Sequence, residues 1–177
     1  MSTLKELTWQ KHQEAESQSF IKSIFKGQVD TNKYIDYLYQ LRVLYSRLED
    51  YGDELGIFED MPDLKRTKGI TLDYAALTEN RVETDNLRNS TIDYLDYLEN
   101  IRSDKHRLMA HIYVRHTGDL FGGQALAKLL PGPNNMFKFE DIPSLIGKIR
   151  SKLDVSMADE ANRAFDFNIE MIKEYND

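Results

Sequence analysis

Four histidines and no cysteine leave this chain few ways to bind a metal. The lack of cysteine excludes a disulfide scaffold, a thiol nucleophile and every thiolate-held metal or cluster. His106, His111 and His116 follow one another at five-residue steps, which turn each about 140° from the last on a helix. They therefore cannot share one face, and we expect them to be surface or packing residues.

His12 differs from the other three because Glu16 follows it by one helical turn, which puts both side chains on one face. A metal-binding imidazole usually donates its second N–H to a carboxylate or a carbonyl, which fixes the ring and raises its basicity. Glu16 is in position to be that partner. The same spacing is also typical of an exposed helical ion pair, and without a further observation it favours that interpretation.

A second unusual segment, Gly118–Gln124, carries three glycines inside a helical pattern. Each glycine costs a helix interior up to about 1 kcal/mol relative to alanine, so some interaction must offset the loss. Gly118 and Gly122 lie on one face and could allow close helix packing. They could equally expose bare backbone to a flat ligand, with Asp119 beside it to order water. A phosphate-binding loop is disfavoured, because neither fingerprint glycine spacing nor a following Lys-Ser/Thr is present.

The elements that must position these residues are predicted to be helices. Apolar residues recur at three- and four-residue steps, and no alternating strand pattern of useful length appears. We expect an all-α fold forming a single domain over residues 1–177. The predicted helices run from Leu4 to about Ile24, from near Tyr34 to about Leu55, from Leu64 to Glu79, from Ile92 to Ile101, from Lys105 to about Leu130, over about ten residues from Ile142, and from Met157 to Tyr175.

Composition narrows the possible partners. The chain carries 23 Lys and Arg against 30 Asp and Glu, for a net charge of −7, which disfavours nucleic acid and anionic membranes as partners. Hydrophobic residues make up 41%, enough for a packed core. The polar start lacks a signal-peptide pattern, and no apolar run approaches the roughly 18 residues of a membrane span. We therefore expect a soluble, cytoplasmic protein.

The segment Ala110–Gln124 resembles the distal-helix signature of the heme oxygenase family. It contains Tyr-x-Arg at Tyr113–Arg115, then Gly118–Leu120 and Gly122–Gln124 in the family's spacing. The stretch from Leu4 to Glu16 adds a match around His12, and weaker similarity extends over nearly the whole chain. The signature is long and specific.

The resemblance implies an all-α fold in which heme b lies between two helices. His12 would be the axial iron ligand and Glu16 its hydrogen-bond partner. Gly118, Gly122 and Asp119 would be the catalytic residues, the glycines lying close over the other heme face and Asp119 anchoring the water that delivers protons. The residues that would contact the propionates or the heme edge are Lys5, Tyr113, Arg150, Phe165 and Asn168.

The implied reaction is oxidative cleavage of heme by O2 to biliverdin, with release of CO and ferrous iron. No flavin or nicotinamide fingerprint is present, so the electrons would come from a separate reductant, expected to be ferredoxin. A bilin reductase could take up the product. An acidic donor would need a local basic patch, for which the candidates are Lys5, Lys11, Lys22, Lys26 and Lys128.

Departures from the family pattern leave alternatives open. Phe121 stands where the family commonly has Ser, and His116 where it has Tyr; we expect His116 to lie at the surface. The propionate position given to Arg150 could fall on Lys148 or Lys152 instead. A heme-binding or heme-transfer protein without chemistry is the second hypothesis. The third is a helical scaffold or non-heme enzyme whose glycines serve packing alone.

Overall fold

The computed structural model describes residues 3–79 and 86–177, which form eight α-helices and, within those ranges, no β-strand. The predicted all-α fold is confirmed. In the same ranges, no helix combines the length and apolar character needed to cross a bilayer. The helices are α1 (Leu4–Glu16), α2 (Ser19–Phe25), α3 (Thr31–Glu54), α4 (Thr67–Thr78), α5 (Asn89–Ile101), α6 (Lys105–Leu126), α7 (Ile142–Arg150) and α8 (Ala158–Lys173), and short 3₁₀ turns lie at Pro62–Leu64, Asn135–Phe137 and Val155–Met157.

Helix α1 begins at a capping box formed by Thr3 and Glu6. The Glu6 amide donates to Thr3 Oγ1 at 3.2 Å, and the Thr3 amide donates to the Glu6 carboxylate at 3.2 Å. These bonds satisfy backbone donors that the first helical turn leaves free. Helix α8 contacts both α1 and α6 and therefore fixes the relative positions of these two helices, which carry His12 and Gly118.

The continuous first helix predicted from the spacing is wrong, because α1 and α2 are separate. The side chains of Ser17 and Gln18 donate to the Glu14 carbonyl at 2.7 and 3.0 Å, which competes with continuation of the helix. The Phe20 amide then donates to Asn176 Oδ1 at 3.0 Å. The break therefore depends on a contact with the far end of the chain, which local periodicity does not report.

Helix α6 ends at Leu126, earlier than the predicted end near Leu130. The side-chain amide of Asn134 donates to the carbonyls of Ala127 and Leu130, each at 2.9 Å. These bonds stabilise a turn in the last residues of the predicted helix. The Pro131-Gly132-Pro133 segment lies within this turn.

Glu49 of α3 explains where α4 begins and corrects the placement of His116. Its carboxylate accepts from the Arg66 amide at 2.6 Å and from the Thr67 amide at 3.1 Å, so α4 begins at Thr67 and not at Leu64. His116 Nε2 lies 2.8 Å from the same carboxylate, and its ring is fully buried. The expected surface position of His116 is therefore wrong. Burial alone would raise the pKa of Glu49, but hydrogen bonds from His116 and Thr67 lower it.

His111 is a packing residue, in line with the sequence-based expectation. It is fully buried, with Nδ1 2.7 Å from Tyr94 Oη and Nε2 2.9 Å from Glu160 Oε1. A neutral ring that donates from Nε2 and accepts at Nδ1 satisfies both contacts, and burial lowers the pKa of His111. Burial would raise the pKa of Glu160, but hydrogen bonds from His111 and Tyr97 lower it to about 2.

Acid should destabilise the fold through Glu160. Its pKa of about 2 in the folded chain lies below the ordinary value of 4.5, so the unfolded state binds the proton first as the pH falls. The stabilisation is thus complete above about pH 4.5 and is lost as the pH falls towards 2. His111 acts in the same direction, since unfolding lets it protonate below its usual pKa of 6.5.

The variant Glu160→Gln should lower the free energy of unfolding by about 1–3 kcal/mol at pH 7. It should also flatten the decline in stability between about pH 5 and 3. Urea unfolding of both chains at a series of pH values measures the two effects. An unchanged pH slope in the variant would contradict the role given to Glu160.

Candidate functional site

A cavity of about 1210 Å³ has walls from α1 and α6, with further residues from α2, α3, α7 and α8. Every site residue predicted from the sequence lines this one cavity. They are drawn from the first helix to the last, so the fold brings them together. They are Lys5, His12, Glu16, Tyr113, Gly118, Asp119, Gly122, Arg150, Phe165 and Asn168.

The α1 wall presents an oriented imidazole. His12 Nε2 lies 2.8 Å from Glu16 Oε1, and the His12 side chain is 40% exposed. The Phe165 ring of α8 meets the His12 ring edge to face, with centroids 6.0 Å apart. The paired His12 and Glu16 that the spacing predicts therefore face a cavity, which an ordinary surface ion pair does not do.

The α6 wall is bare backbone at two of its glycines. A Cβ atom built on Gly118 or Gly122 would meet nothing within 4 Å, whereas one built on Gly123 would lie 2.3 Å from the Phe137 ring. Gly118 and Gly122 line the cavity. The hypothesis that these two glycines serve close helix packing is therefore wrong. Gly123 is the glycine that allows a close approach, and what approaches it is the Phe137 ring of the Asn135–Phe137 turn.

Alanine substitutions should separate the two kinds of glycine. Gly123→Ala should lower the free energy of unfolding by about 1–3 kcal/mol, because the new methyl group overlaps the Phe137 ring. Gly122→Ala should raise it by up to about 1 kcal/mol in the ligand-free chain, since alanine favours the helix and meets open space. Urea unfolding measures both changes. A destabilised Gly122→Ala chain would contradict an open α6 wall.

Asp119 follows Gly118 on α6 and is held by a tyrosine from α3. Tyr45 Oη donates to Asp119 Oδ2 at 2.5 Å. Burial raises the pKa of Asp119, although this bond and the nearby charge of Arg115 oppose the rise. Burial also raises the pKa of Tyr45 well above its usual value, and the charge of Asp119 adds to it. Asp119 is therefore a carboxyl group that takes up a proton more readily than an exposed aspartate.

Arg115 extends this polar wall towards α8. It is buried, its guanidinium donates to Asn168 Oδ1, and it lies 5.3 Å from the centre of the Tyr45 ring. Tyr45 and Arg115 also line the cavity, but sequence reasoning gave neither a role. Arg115 could have been found from its spacing, because it precedes Asp119 by one helical turn. Tyr45 comes from a separate helix, so only the fold reveals its partner.

Besides Arg115, the cationic residues Lys5 and Arg150 belong to the cavity lining, together with the hydroxyl-bearing Tyr113. Lys148 and Lys152, the two alternatives to Arg150, do not line the cavity. Lys152 instead pairs with Asp60 at 2.7 Å. Arg150 is thus the basic residue of α7 that a ligand in the cavity meets.

Large apolar side chains complete the cavity and remain open to solvent. Phe121 is 60% exposed, and Trp9, Phe25 and Val155 are exposed to similar degrees. Exposed aromatic groups around a concave site are typical of surfaces that a ligand covers. Phe121 therefore adds apolar bulk to the cavity.

This lining fits a flat, largely apolar ligand that carries anionic groups and a metal. One wall is open backbone at Gly118 and Gly122, the opposite helix supplies an imidazole, and Lys5 and Arg150 supply positive charge. Within the described residues, Arg115 Nε and Tyr34 Oη are buried in this lining without a protein hydrogen-bond partner. Buried polar atoms of this kind need a partner from a ligand or from water.

Known proteins with similar sequence and structure are heme oxygenases. A family model described as Heme oxygenase matches residues 1–144. A heme oxygenase of Guillardia theta is 29% identical over 97% of this chain and 84% of its own length. Heme oxygenase-1 from the cyanobacterium Synechocystis sp., solved in complex with heme, has a TM-score of 0.86 and 25% identity over 97% of this chain and 89% of its own. The heme oxygenase of Leptospira interrogans has a TM-score of 0.87 and 26% identity over 97% of both chains.

Proposed function

This chain belongs to the heme oxygenase family and as such degrades heme to biliverdin, and we propose that it binds heme b in the cavity between α1 and α6, with His12 as the iron ligand. One observation carries the proposal. The cavity that receives His12 from α1 receives the open backbone of Gly118 and Gly122 from α6. A planar macrocycle fits between an imidazole and a wall without side chains.

The bound heme supplies the iron that activates O2 and is itself the molecule that is oxidised. His12 binds through an imidazole nitrogen, and the carboxylate of Glu16 holds the ring by the other nitrogen. In this structure Nε2 contacts Glu16, which leaves Nδ1 as the free ring nitrogen. Ligation through Nε2 would require the His12 side chain to turn until Nδ1 contacts Glu16. A neutral imidazole binds ferrous heme without the strong electron donation of a thiolate.

Asp119 anchors the water that delivers protons on the α6 side. Burial raises its pKa, so it takes up a proton more readily than an exposed aspartate, and Tyr45 fixes its orientation through the 2.5 Å hydrogen bond. Gly118 and Gly122 keep bulky or acid–base side chains away from the reacting centre. With heme bound, the α6 backbone at these glycines would lie against the macrocycle and limit access to it from that side.

The remaining cavity residues hold the periphery of the heme. Lys5, Tyr113 and Arg150 contact the propionates, for which two cations and a hydroxyl group are suitable partners. Phe165 packs against the heme edge beside His12. Asn168 accepts from Arg115 and joins the polar network on the α6 side.

The electrons come from a separate protein, which we propose is a ferredoxin, and the bilin then passes to a bilin reductase. A ferredoxin is acidic and needs positive charge near the cavity. Lys11 is engaged by Asp166 at 2.7 Å, so it contributes less than the exposed lysines. These are Lys5, Lys22, Lys26 and Lys128.

The test combines the purified chain with hemin, a reduced ferredoxin system and O2. A Soret band should form on adding hemin and then give way to the biliverdin spectrum. A stable Soret band without bilin would support the alternative of a heme-binding or heme-transfer protein. Absence of a Soret band would contradict heme binding altogether.

A further inference from the structure

Trp9 is the only tryptophan of the chain, and it lies on the same face of α1 as the residues proposed to hold heme. The order Lys5, Trp9, His12, Glu16 follows steps of four, three and four residues, which align side chains along one helix face. The indole ring stacks on the His12 ring with centroids 5.1 Å apart and planes 11° from parallel. Lys5 Nζ lies 5.9 Å from the indole centre.

The three side-chain contacts of the His12 ring restrain different motions of that ring. Glu16 holds one ring nitrogen at 2.8 Å, and a hydrogen bond at one atom still lets the ring tilt. Phe165 meets the ring edge to face at 6.0 Å. Trp9 alone among these three lies nearly parallel to the imidazole plane, so it opposes the tilt that the other two contacts allow.

Trp9 has no evident structural reason to occupy this position. It is 45% exposed and lines the cavity, so it adds little to the buried core. The half-exposed position of this indole is explained if a bound ligand covers it and if its stacking on His12 orients the imidazole when that ligand binds.

We propose that Trp9 is a positioning residue that fixes the plane of the His12 imidazole for iron ligation and shields that ring from water. The inference rests on the proposed role of His12 as axial ligand. Trp9 touches the ligand of the iron and acts through it.

Three variants test the role of Trp9. Trp9→Leu removes the aromatic face but keeps apolar bulk, and Trp9→Phe retains an aromatic ring. Leu7→Ala is the matched control, because Leu7 is 43% exposed on the same helix and is absent from the cavity lining. Circular dichroism verifies that each variant is folded.

The first measurement uses the chain without hemin. In the parent, NMR signals of the His12 ring protons should be shifted upfield by the indole ring current, and Trp9→Leu should remove that shift. Unchanged His12 signals in Trp9→Leu would overturn the stacking itself, whatever the axial ligand is.

The second measurement uses the ferric hemin complex. Trp9→Leu should release hemin about two- to tenfold faster, as expected for the loss of one aromatic stack. Its electron paramagnetic resonance signals should also broaden, because the imidazole then occupies a range of planes. Trp9→Phe should restore both properties to within about twofold of the parent, and Leu7→Ala should match the parent.

Failure of this inference and failure of the proposed function give different results. If Trp9→Leu has parent-like resonance signals and hemin release while His12→Ala loses the axial ligand, the positioning role is overturned and the ligand assignment stands. If His12→Ala keeps the axial ligand, the assignment of His12 fails, and the positioning role for Trp9 fails with it. The hemin-free NMR measurement then still reports whether the rings stack.

Discussion

His12→Ala should abolish biliverdin formation and remove the axial ligand from the ferric heme spectrum. We expect turnover to fall by more than about 100-fold, since even the loss of a residue that only orients a metal ligand costs about 10- to 100-fold. The cavity keeps its other walls, so added imidazole should enter the space left by the side chain and restore part of both properties. Optical spectra and bilin yield, with and without imidazole, measure the effect.

His106→Ala is the matched control for this prediction. His106 is exposed, bonds Ser156 at 2.9 Å and is absent from the lining of the proposed heme cavity, so its loss should leave the heme spectrum unchanged. If His12→Ala kept the parent spectrum without imidazole, another residue would be the ligand. His111 and His116 could serve only by leaving their buried contacts with Glu160 and Glu49.

Asp119→Ala should separate heme binding from ring opening. Asp119 is not among the groups proposed to hold the iron or the propionates, so hemin affinity should stay within a few-fold of the parent. Biliverdin yield should fall by about 100-fold or more, in line with the loss of a positioned proton donor. Oxidation that leaves the macrocycle closed should then consume the reducing equivalents. Parallel hemin titration and bilin quantification under limiting reductant test both parts.

Two further substitutions identify what Asp119 contributes. Asp119→Asn keeps the size of the side chain but cannot carry the proton, so it should lose activity as Asp119→Ala does. Tyr45→Phe removes the 2.5 Å hydrogen bond that orients Asp119, together with a 3.2 Å contact to the Arg115 carbonyl, and should lower biliverdin yield about tenfold. Parent-like biliverdin yield in Asp119→Ala would remove this residue from the mechanism.

Local sequence signals suffice for the two walls of the site because each wall lies on one helix. His12 and Glu16 are four residues apart, and so are Gly118 and Gly122. In a helix this spacing places both members of each pair on the same face. The sequence alone could not say what those faces meet. The structure resolves this for the glycines, since two are open to the cavity and Gly123 meets Phe137.

The features that local patterns missed depend on contacts between distant segments. The break between α1 and α2 involves Asn176, and the buried position of His116 depends on Glu49 of α3. Tyr45 meets Asp119 only when α3 packs on α6. A periodic pattern indicates which face of a helix is buried, but not which polar group of the neighbouring helix that face contacts.

The structure of the hemin complex tests the account most directly. It should show the iron bonded to an imidazole nitrogen of His12 and the opposite face of the macrocycle against Gly118 and Gly122 of α6. The propionates should lie within hydrogen-bonding distance of Lys5, Tyr113 or Arg150. Iron bonded to any other residue, or a macrocycle lying outside the cavity between α1 and α6, would contradict the account.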